Sequence, residues 1–79
     1  MARLTVGRAI LKLRAHLSIP REKLALEADV TSSAVCFWET GGRTPSAMHR
    51  ERLATYARAM KAPADIILAI EPPPASDPA

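Results

Sequence analysis

The 79 residues allow one domain with one modest hydrophobic core, and the single cysteine excludes a disulfide within the chain. The net charge is +3, and all eleven Lys and Arg residues fall within residues 1–61. The charged residues within positions 62–79 are all acidic. No apolar run is long enough to cross a membrane and no signal peptide is recognisable, so we expect a cytoplasmic protein without a membrane partner. A basic body favours a polyanion, but charge alone does not assign a function.

The first predicted helix follows Thr5, whose hydroxyl can cap it, and runs to about Leu17. Apolar residues recur at helical spacing and predict one apolar face, which consists of Val6, Ile10, Leu13 and Leu17. A tight connector at residues 18–20 follows. The first helix therefore contributes one side to the core.

The second predicted helix, in residues 20–29, begins at Pro20 or Arg21, because the N–H that proline lacks has no helical partner in the first turn. Its inner face consists of Leu24, Ala25 and Ala28. A turn of a few residues leads to a short third helix in residues 31–41, with Thr31 as N-cap and Gly41 as the residue that ends it. Two short helices joined this tightly predict a helix-turn-helix.

The third helix has two different faces. Its apolar stripe, expected to enter the core, consists of Ala34, Val35 and Trp38. The opposite face carries Ser32, Ser33, Cys36 and Phe37. Small outward side chains allow a helix to lie close to a large partner, such as a groove of DNA.

A fourth helix is capped either by Ser46 or by Thr44 with Pro45 in the first turn, and it runs to about Lys61. We expect its inner face to consist of Leu53, Ala54, Ala57 and Met60. The expected solvent-facing arginines are Arg50, Arg52 and Arg58.

A short fifth helix restarts at Pro63, with Ile66, Ile67 and Ile70 as its apolar residues. The proline-rich residues 72–79 predict a disordered tail, which leaves residues 1–71 as the domain. The pattern predicts an all-α fold, a compact domain of five helices.

A set of residues between positions 6 and 46 carries one further pattern, without gaps: Ile10, Leu13, Arg14, Leu24, Ala25, Val30, Thr31, Val35, Trp38, Glu39, Gly41, Arg43 and Pro45. In these positions the chain resembles the helix-turn-helix proteins of the Cro/phage-repressor (XRE) family. Two departures are Ser18, where the family usually has Gly, and Pro20, where it usually has a capping residue. The resemblance implies a phage-repressor type of DNA-binding domain. Helix 31–40 would enter the major groove, and a homodimer would read two half-sites one helical turn apart.

The resemblance also implies roles for individual residues. The residues expected to face base edges are Ser32, Ser33, Cys36 and Phe37, and those expected to hold phosphates are Arg21, Thr31, Arg43 and Thr44. Arg14 and Glu39 are expected to form a structural ion pair between the first and third helices. Because the base-facing set offers no Arg, Asn or Gln for a bidentate base contact, specificity would depend on methyl contacts, water and DNA shape.

Each of these residues has a second interpretation. Ser32 and Ser33 are also typical of the polar first turn of a surface helix, and Cys36 is either a redox sensor or simply a small residue. Phe37 either packs on a thymine methyl or anchors a protein interface. The alternative function is therefore a protein-interaction module, such as an antitoxin that neutralises a partner protein.

The sequence carries no recognisable catalytic or metal-binding pattern. His16 and His49 lie far apart, and no Cys or His partner stands at ligand spacing from either. Neither a nucleophile–base constellation nor a phosphate-binding loop is present. We therefore expect no enzyme, no metal, no cofactor and no small-molecule substrate. The sequence predicts a transcriptional regulator, a repressor, that binds duplex DNA.

Overall fold

A computed structural model describes residues 4–72, and all regular structure in this range is helical. The five helices are α1 (Val6–Leu17), α2 (Arg21–Ala28), α3 (Ser32–Thr40), α4 (Ala47–Ala59) and α5 (Ala64–Ile70). The Cα radius of gyration is 12.0 Å, as expected for a compact chain of this length. The prediction of a compact, all-α domain with five helices is confirmed for these residues. The predicted tail lies outside the described residues from position 73 onward.

Three helices begin at a side-chain hydroxyl. Thr5, Thr31 and Ser46 each accept a hydrogen bond from the backbone N–H three residues later, at 3.2, 3.2 and 3.3 Å. These bonds satisfy N–H groups that a helix cannot pair internally. The fourth helix is therefore capped by Ser46 and not by the earlier threonine. Helices α2 and α5 follow Pro20 and Pro63, neither of which has a side chain that caps.

Left-handed backbone residues end the first three helices. Gly41, after α3, has φ 86°, the conformation that glycine adopts without a steric penalty. Ser18 and Asp29 take the same region at φ 55° and 61° after α1 and α2. A serine in this conformation costs about 1–2 kcal/mol relative to its preferred region, and the turn forms nevertheless. The tight connector therefore forms with Ser18 in the left-handed conformation.

The core lies between the inner sides of all five helices. Its buried members are Ala9, Ile10, Leu13, Leu24, Ala25, Ala28, Val35, Trp38, Leu53, Ala54, Ala57, Ala62, Ile66 and Ile70. The many alanines allow the helix axes to approach closely. Gly7 serves the same purpose where α1 meets α3, because a Cβ at this position would collide with the carbonyl oxygen of Trp38. The close contact places α1 directly behind α3.

The predicted position of Met60 is wrong. Its side chain is 45% exposed, because α4 ends at Ala59 and the next residues leave the helical path. Lys61 adopts a left-handed conformation at φ 58°, and this turn brings Ala62 into the core instead.

Arg50 is also misplaced by the sequence prediction, since it is not a solvent-facing residue. Its Nε donates to the carbonyl oxygen of Ile70 at 3.0 Å, and its Nη2 donates to those of Ala69 at 3.2 Å and Glu71 at 3.0 Å. These carbonyls belong to the C-terminal end of α5, where helix carbonyls lack intrahelical partners. We call this arrangement the Arg50 cluster. It joins α4 to the end of α5, and an ion pair between Arg58 and Glu71 lies beside it.

Candidate nucleic-acid interface

The second and third helices are joined by three residues, Asp29, Val30 and Thr31. The left-handed Asp29 reverses the chain, and the Val30 N–H donates to the carbonyl oxygen of Ala25 at 2.9 Å. Thr31 then caps α3. Each residue of the turn is thus held by a backbone or side-chain bond, which fixes the direction of α3 relative to α2.

A carboxylate at the end of α3 holds the same pair of helices against α1. Arg14 Nε donates to Glu39 Oε2 at 2.6 Å, and Arg14 Nη2 donates to Oε1 at 3.2 Å. Arg21 Nε, from α2, donates to the same Oε1 at 2.9 Å. The Glu39 side chain is only 3% exposed. We call Arg14, Arg21 and Glu39 the Glu39 cluster.

The Glu39 cluster contains the expected pair of Arg14 with Glu39 and one arginine more. The ion pair between Arg21 and Glu39 was not predicted, because the sequence interpretation assigned Arg21 only to phosphate. Each carboxylate oxygen can accept more than one hydrogen bond, so Glu39 Oε1 accepts from Arg21 as well as from Arg14, but no signal in the sequence indicates this second contact. The cluster fixes α1, α2 and α3 through one acceptor.

The charges of this cluster reinforce one another. Burial by itself would raise the pKa of Glu39, but the hydrogen bonds and positive charges of Arg14 and Arg21 outweigh burial and hold the pKa below its ordinary value. The hydrogen bond to Glu39 is the main reason why the pKa of Arg21 is raised. Glu39 is therefore an anion at neutral pH, and Arg21 remains a cation although one of its donors is occupied.

Arg21 keeps part of its guanidinium for another ligand. Its side chain is 44% exposed, and only Nε is used in hydrogen bonds within residues 4–72. Both Nη groups can therefore donate to an anion outside the chain.

The exposed side of α3 forms a shallow depression with the start of α2. Ser32, Ser33 and Cys36 line it together with Arg21, and its volume is about 360 Å³. Ser33 is exposed, whereas Ser32 and Cys36 are half-buried. The structure thus brings three of the four predicted base-facing residues together with one predicted phosphate-binding residue.

Phe37, the fourth of these residues, lies apart from the depression, beside the loop that follows α3. Its ring is 48% exposed. The guanidinium carbon of Arg43 lies 5.8 Å from the ring centroid, and the Arg43 N–H donates to the Phe37 carbonyl oxygen at 3.2 Å. Gly42 packs against the ring edge, so close that a Cβ there would lie 3.2 Å from Cδ1.

The remaining predicted residues lie at the two ends of α3. Thr31 accepts the capping bond at the start, which leaves its hydroxyl proton free to be donated. Thr44 is exposed, and it lines a second depression with Arg43 and Arg8. Arg8 was not predicted as a binding residue, because nothing in the spacing of α1 indicates that its N-terminus reaches this loop. The structure therefore adds Arg8 to the basic groups near Thr44.

Metal binding has no support among residues 4–72, where no three His, Cys, Asp or Glu side chains are close enough together to hold an ion. In the same range, no helix combines the length and the apolar character that spanning a bilayer requires. Comparison with family models, with curated proteins and with solved structures finds no match to the chain. Support for a function therefore comes from the arrangement of the side chains themselves.

Proposed function

We propose that this chain regulates transcription by binding duplex DNA, in the manner of the phage-repressor (XRE) proteins that its sequence resembles. In this proposal α3 enters the major groove and α2 crosses the sugar–phosphate backbone. The observation that carries the proposal is that small polar side chains on the exposed face of α3 lie beside Arg21, and a second cation, Arg43, lies in the loop that follows α3. A helix fits the major groove, and cations on either side of it meet the phosphates of the two groove walls.

The rigidity of the α2–α3 pair supports this proposal. A recognition helix must be held at a fixed angle, since small displacements break contacts with the base edges. The three-residue turn and the Glu39 cluster together provide that support from inside the domain. Because Glu39 occupies Nε of Arg21, the two Nη groups are directed to a phosphate in the proposed complex.

The proposed phosphate contacts come from three places around the recognition helix. Thr31 serves its N-terminal end, and Arg21 serves the flank that faces α2, where the α2 N-terminus lacks a capping side chain and so offers free N–H groups to an anion. Arg43 and Thr44 serve the C-terminal end. These contacts position the protein without carrying sequence information. Sequence preference then depends on Ser32, Ser33, Cys36 and Phe37.

We further propose that two copies act together. The nine residues of α3 extend over about 13 Å, which is enough to contact only a few base pairs. Two copies on half-sites about 34 Å apart would double the contacts and require a palindromic site.

Selection of bound sequences from a random duplex library, combined with a salt titration, tests the proposed function. The proposal expects a palindromic consensus and an affinity that falls steeply as salt increases, because cations that bind phosphates release counterions. Absence of enrichment together with salt-independent binding would refute it. Enrichment of a non-palindromic site would retain DNA binding but refute the homodimer.

A protein-interaction module is the second candidate function. The observation that favours it is a set of large apolar side chains exposed on elements other than α3, namely Leu11, Leu26, Met48, Met60 and Leu68. Leu26 is the most exposed, at 77%. Sedimentation of the free protein and of a Leu26→Lys variant, together with the library selection, tests this candidate: an assembly that the variant loses, with no enrichment of any duplex, supports it, and identical monomers speak against it.

A further inference from the structure

We infer that the Phe37 ring reads the 5-methyl group of a thymine, and that Arg43 and Gly42 hold the ring in the position that this contact needs. The inference rests on the proposed function and makes it more specific, because it assigns a chemical group on the DNA to one side chain. The thymine methyl is the apolar feature of the major groove, and an apolar side chain is its natural partner.

The first argument is that two neighbours, Arg43 and Gly42, already restrict the ring before any ligand binds. One hydrogen bond ties the backbone of Arg43 to that of Phe37, and the guanidinium of Arg43 lies over the ring at 5.8 Å. This distance is within the range of a cation–π contact. Gly42 closes the ring edge from the loop side. A half-exposed aromatic ring that is held in this way loses little conformational freedom when it contacts a ligand.

The second argument concerns the size and surroundings of the apolar surface. Phe37 is the one large apolar side chain of α3 that is exposed, and its neighbours on that side are Ser33, Thr40 and Arg43. A stable protein interface needs about 800 Å² from each partner, whereas a single half-exposed ring offers a small fraction of that area. The other exposed apolar side chains belong to α1, α2, α5 or the ends of α4. The ring therefore fits a single methyl group flanked by phosphates better than it fits a protein.

The third argument separates Arg43 from Arg21. Both arginines are proposed phosphate ligands, but Arg21 is bound to Glu39 and Arg43 to the ring. Loss of the phosphate contact of either arginine should by itself weaken binding to all sequences alike. Only removal of Arg43 should also release Phe37, so Arg43 is a positioning residue for sequence preference in addition to its phosphate contact.

The test uses the duplex obtained by selection from the random library, with each thymine replaced singly by deoxyuridine. This replacement removes one methyl and leaves the hydrogen-bonding edge intact. For the wild-type protein we expect that replacement of one particular thymine in each half-site lowers the affinity about fourfold. This factor equals about 0.8 kcal/mol, the usual contribution of one buried methylene-sized group. For Phe37→Ala the same replacement should have no effect, although the duplex is still bound.

Three further variants serve as controls. Leu68→Ala removes an apolar side chain of α5 that is more exposed than Phe37, at 69% against 48%, and should keep the fourfold preference for thymine. Arg21→Gln should weaken binding and keep that preference, whereas Arg43→Gln should weaken binding and reduce it. If Arg43→Gln keeps the full preference, the positioning role of Arg43 is overturned.

The outcomes also separate this inference from the function on which it rests. If no duplex is selected, the proposed function fails and the inference fails with it. If a duplex is bound but no thymine is sensitive to loss of its methyl, or if Phe37→Ala retains the sensitivity, DNA binding stands and the methyl contact is overturned. Unchanged DNA binding by Phe37→Ala together with loss of self-association assigns the ring to a protein interface, which also overturns it.

Discussion

Within residues 4–72, arginine side chains connect the helices in two clusters, and the two clusters use different acceptors. In the Glu39 cluster, two arginines from α1 and α2 share one buried carboxylate on α3. In the Arg50 cluster, one arginine on α4 donates to three backbone carbonyls at the end of α5. The first arrangement joins charge to charge, and the second joins charge to the partial negative end of a helix.

This difference explains which of the two could be predicted. A side-chain acceptor is visible in the sequence, and the resemblance to the phage-repressor family implied that Glu39 pairs with Arg14, whereas the second pair of Glu39 with Arg21 was not predicted. A carbonyl acceptor is invisible, because every residue has one and only the path of the chain determines which carbonyls are free. Arg50 was therefore assigned to solvent, although it holds the end of α5.

The largest expected effect is at the residue that joins these two regions. Trp38 precedes Glu39, and its ring lies 5.7 Å from that of His49, which precedes Arg50. Because Trp38 is 5% exposed, Trp38→Ala should lower the free energy of unfolding by about 3–5 kcal/mol. Urea denaturation measures this change. A loss below about 1 kcal/mol would mean that the two regions are stabilised independently of Trp38.

Breaking the Glu39 cluster should have the next largest effect. Glu39→Ala leaves two cations without their acceptor and should cost about 2–3 kcal/mol, somewhat less than a fully buried pair because Arg21 and Arg14 retain contact with water. In a double-mutant cycle, Arg14→Ala and Glu39→Ala together should cost less than the sum of the two single changes. Strict additivity would contradict a direct interaction.

Breaking the Arg50 cluster should cost less. Arg50→Ala should lower the free energy of unfolding by about 1–2 kcal/mol, because the carbonyls at the end of α5 can be hydrated after the arginine is removed. Arg52→Ala is the matched control on the same helix: Arg52 is exposed and has no hydrogen bond or ion pair within residues 4–72, so its loss should have almost no effect. Equal effects of the two changes would show that the carbonyl contacts do not stabilise α5.

The two clusters should also differ in their dependence on pH. Folding lowers the pKa of Glu39 below its ordinary value of 4.5. The carboxylate therefore contributes its full stabilisation above about pH 4.5, and this contribution is lost as the pH falls through the pKa of Glu39 in the folded protein. As the pH is lowered from about 5, the free energy of unfolding should therefore decrease less for the Glu39→Gln variant than for the wild type. Arg50→Ala should retain the wild-type dependence, because carbonyl acceptors do not titrate. A Glu39→Gln profile parallel to that of the wild type would contradict the assignment.

The other differences between the predicted and the observed structure also arise because the sequence pattern does not determine the path of the chain. Helical spacing predicted most buried positions of α1, α2 and α3, although Ala9 was missed and Val6, Leu17 and Ala34 are only half-buried. The cap and end of α3 at Thr31 and Gly41 followed from local chemistry. Met60 was placed in the core because the pattern continues through it, whereas the helix ends one residue earlier. Periodicity predicts which side of a helix is apolar, but it does not determine the residue at which the helix ends.

At the candidate interface, composition predicted the face but not its internal connections. Ser32, Ser33 and Cys36 were grouped by their spacing, and the structure places them in one depression with Arg21. The contacts of Arg21 with Glu39 and of Arg43 with Phe37 are long-range or depend on the conformation of the loop. Such contacts require the relative placement of elements, which local spacing does not contain.

The most direct test of DNA binding by the α2–α3 face compares Arg21→Ala with Arg52→Ala. Both variants lose one exposed positive charge, but only Arg21 belongs to the proposed interface. Fluorescence anisotropy with the selected duplex at several salt concentrations should give a slope of log affinity against log salt that is lower by about one per monomer for Arg21→Ala. The slope for Arg52→Ala should equal that of the wild type. An unchanged slope for Arg21→Ala, or an equal decrease in both variants, would contradict the placement of α2 and α3 on DNA.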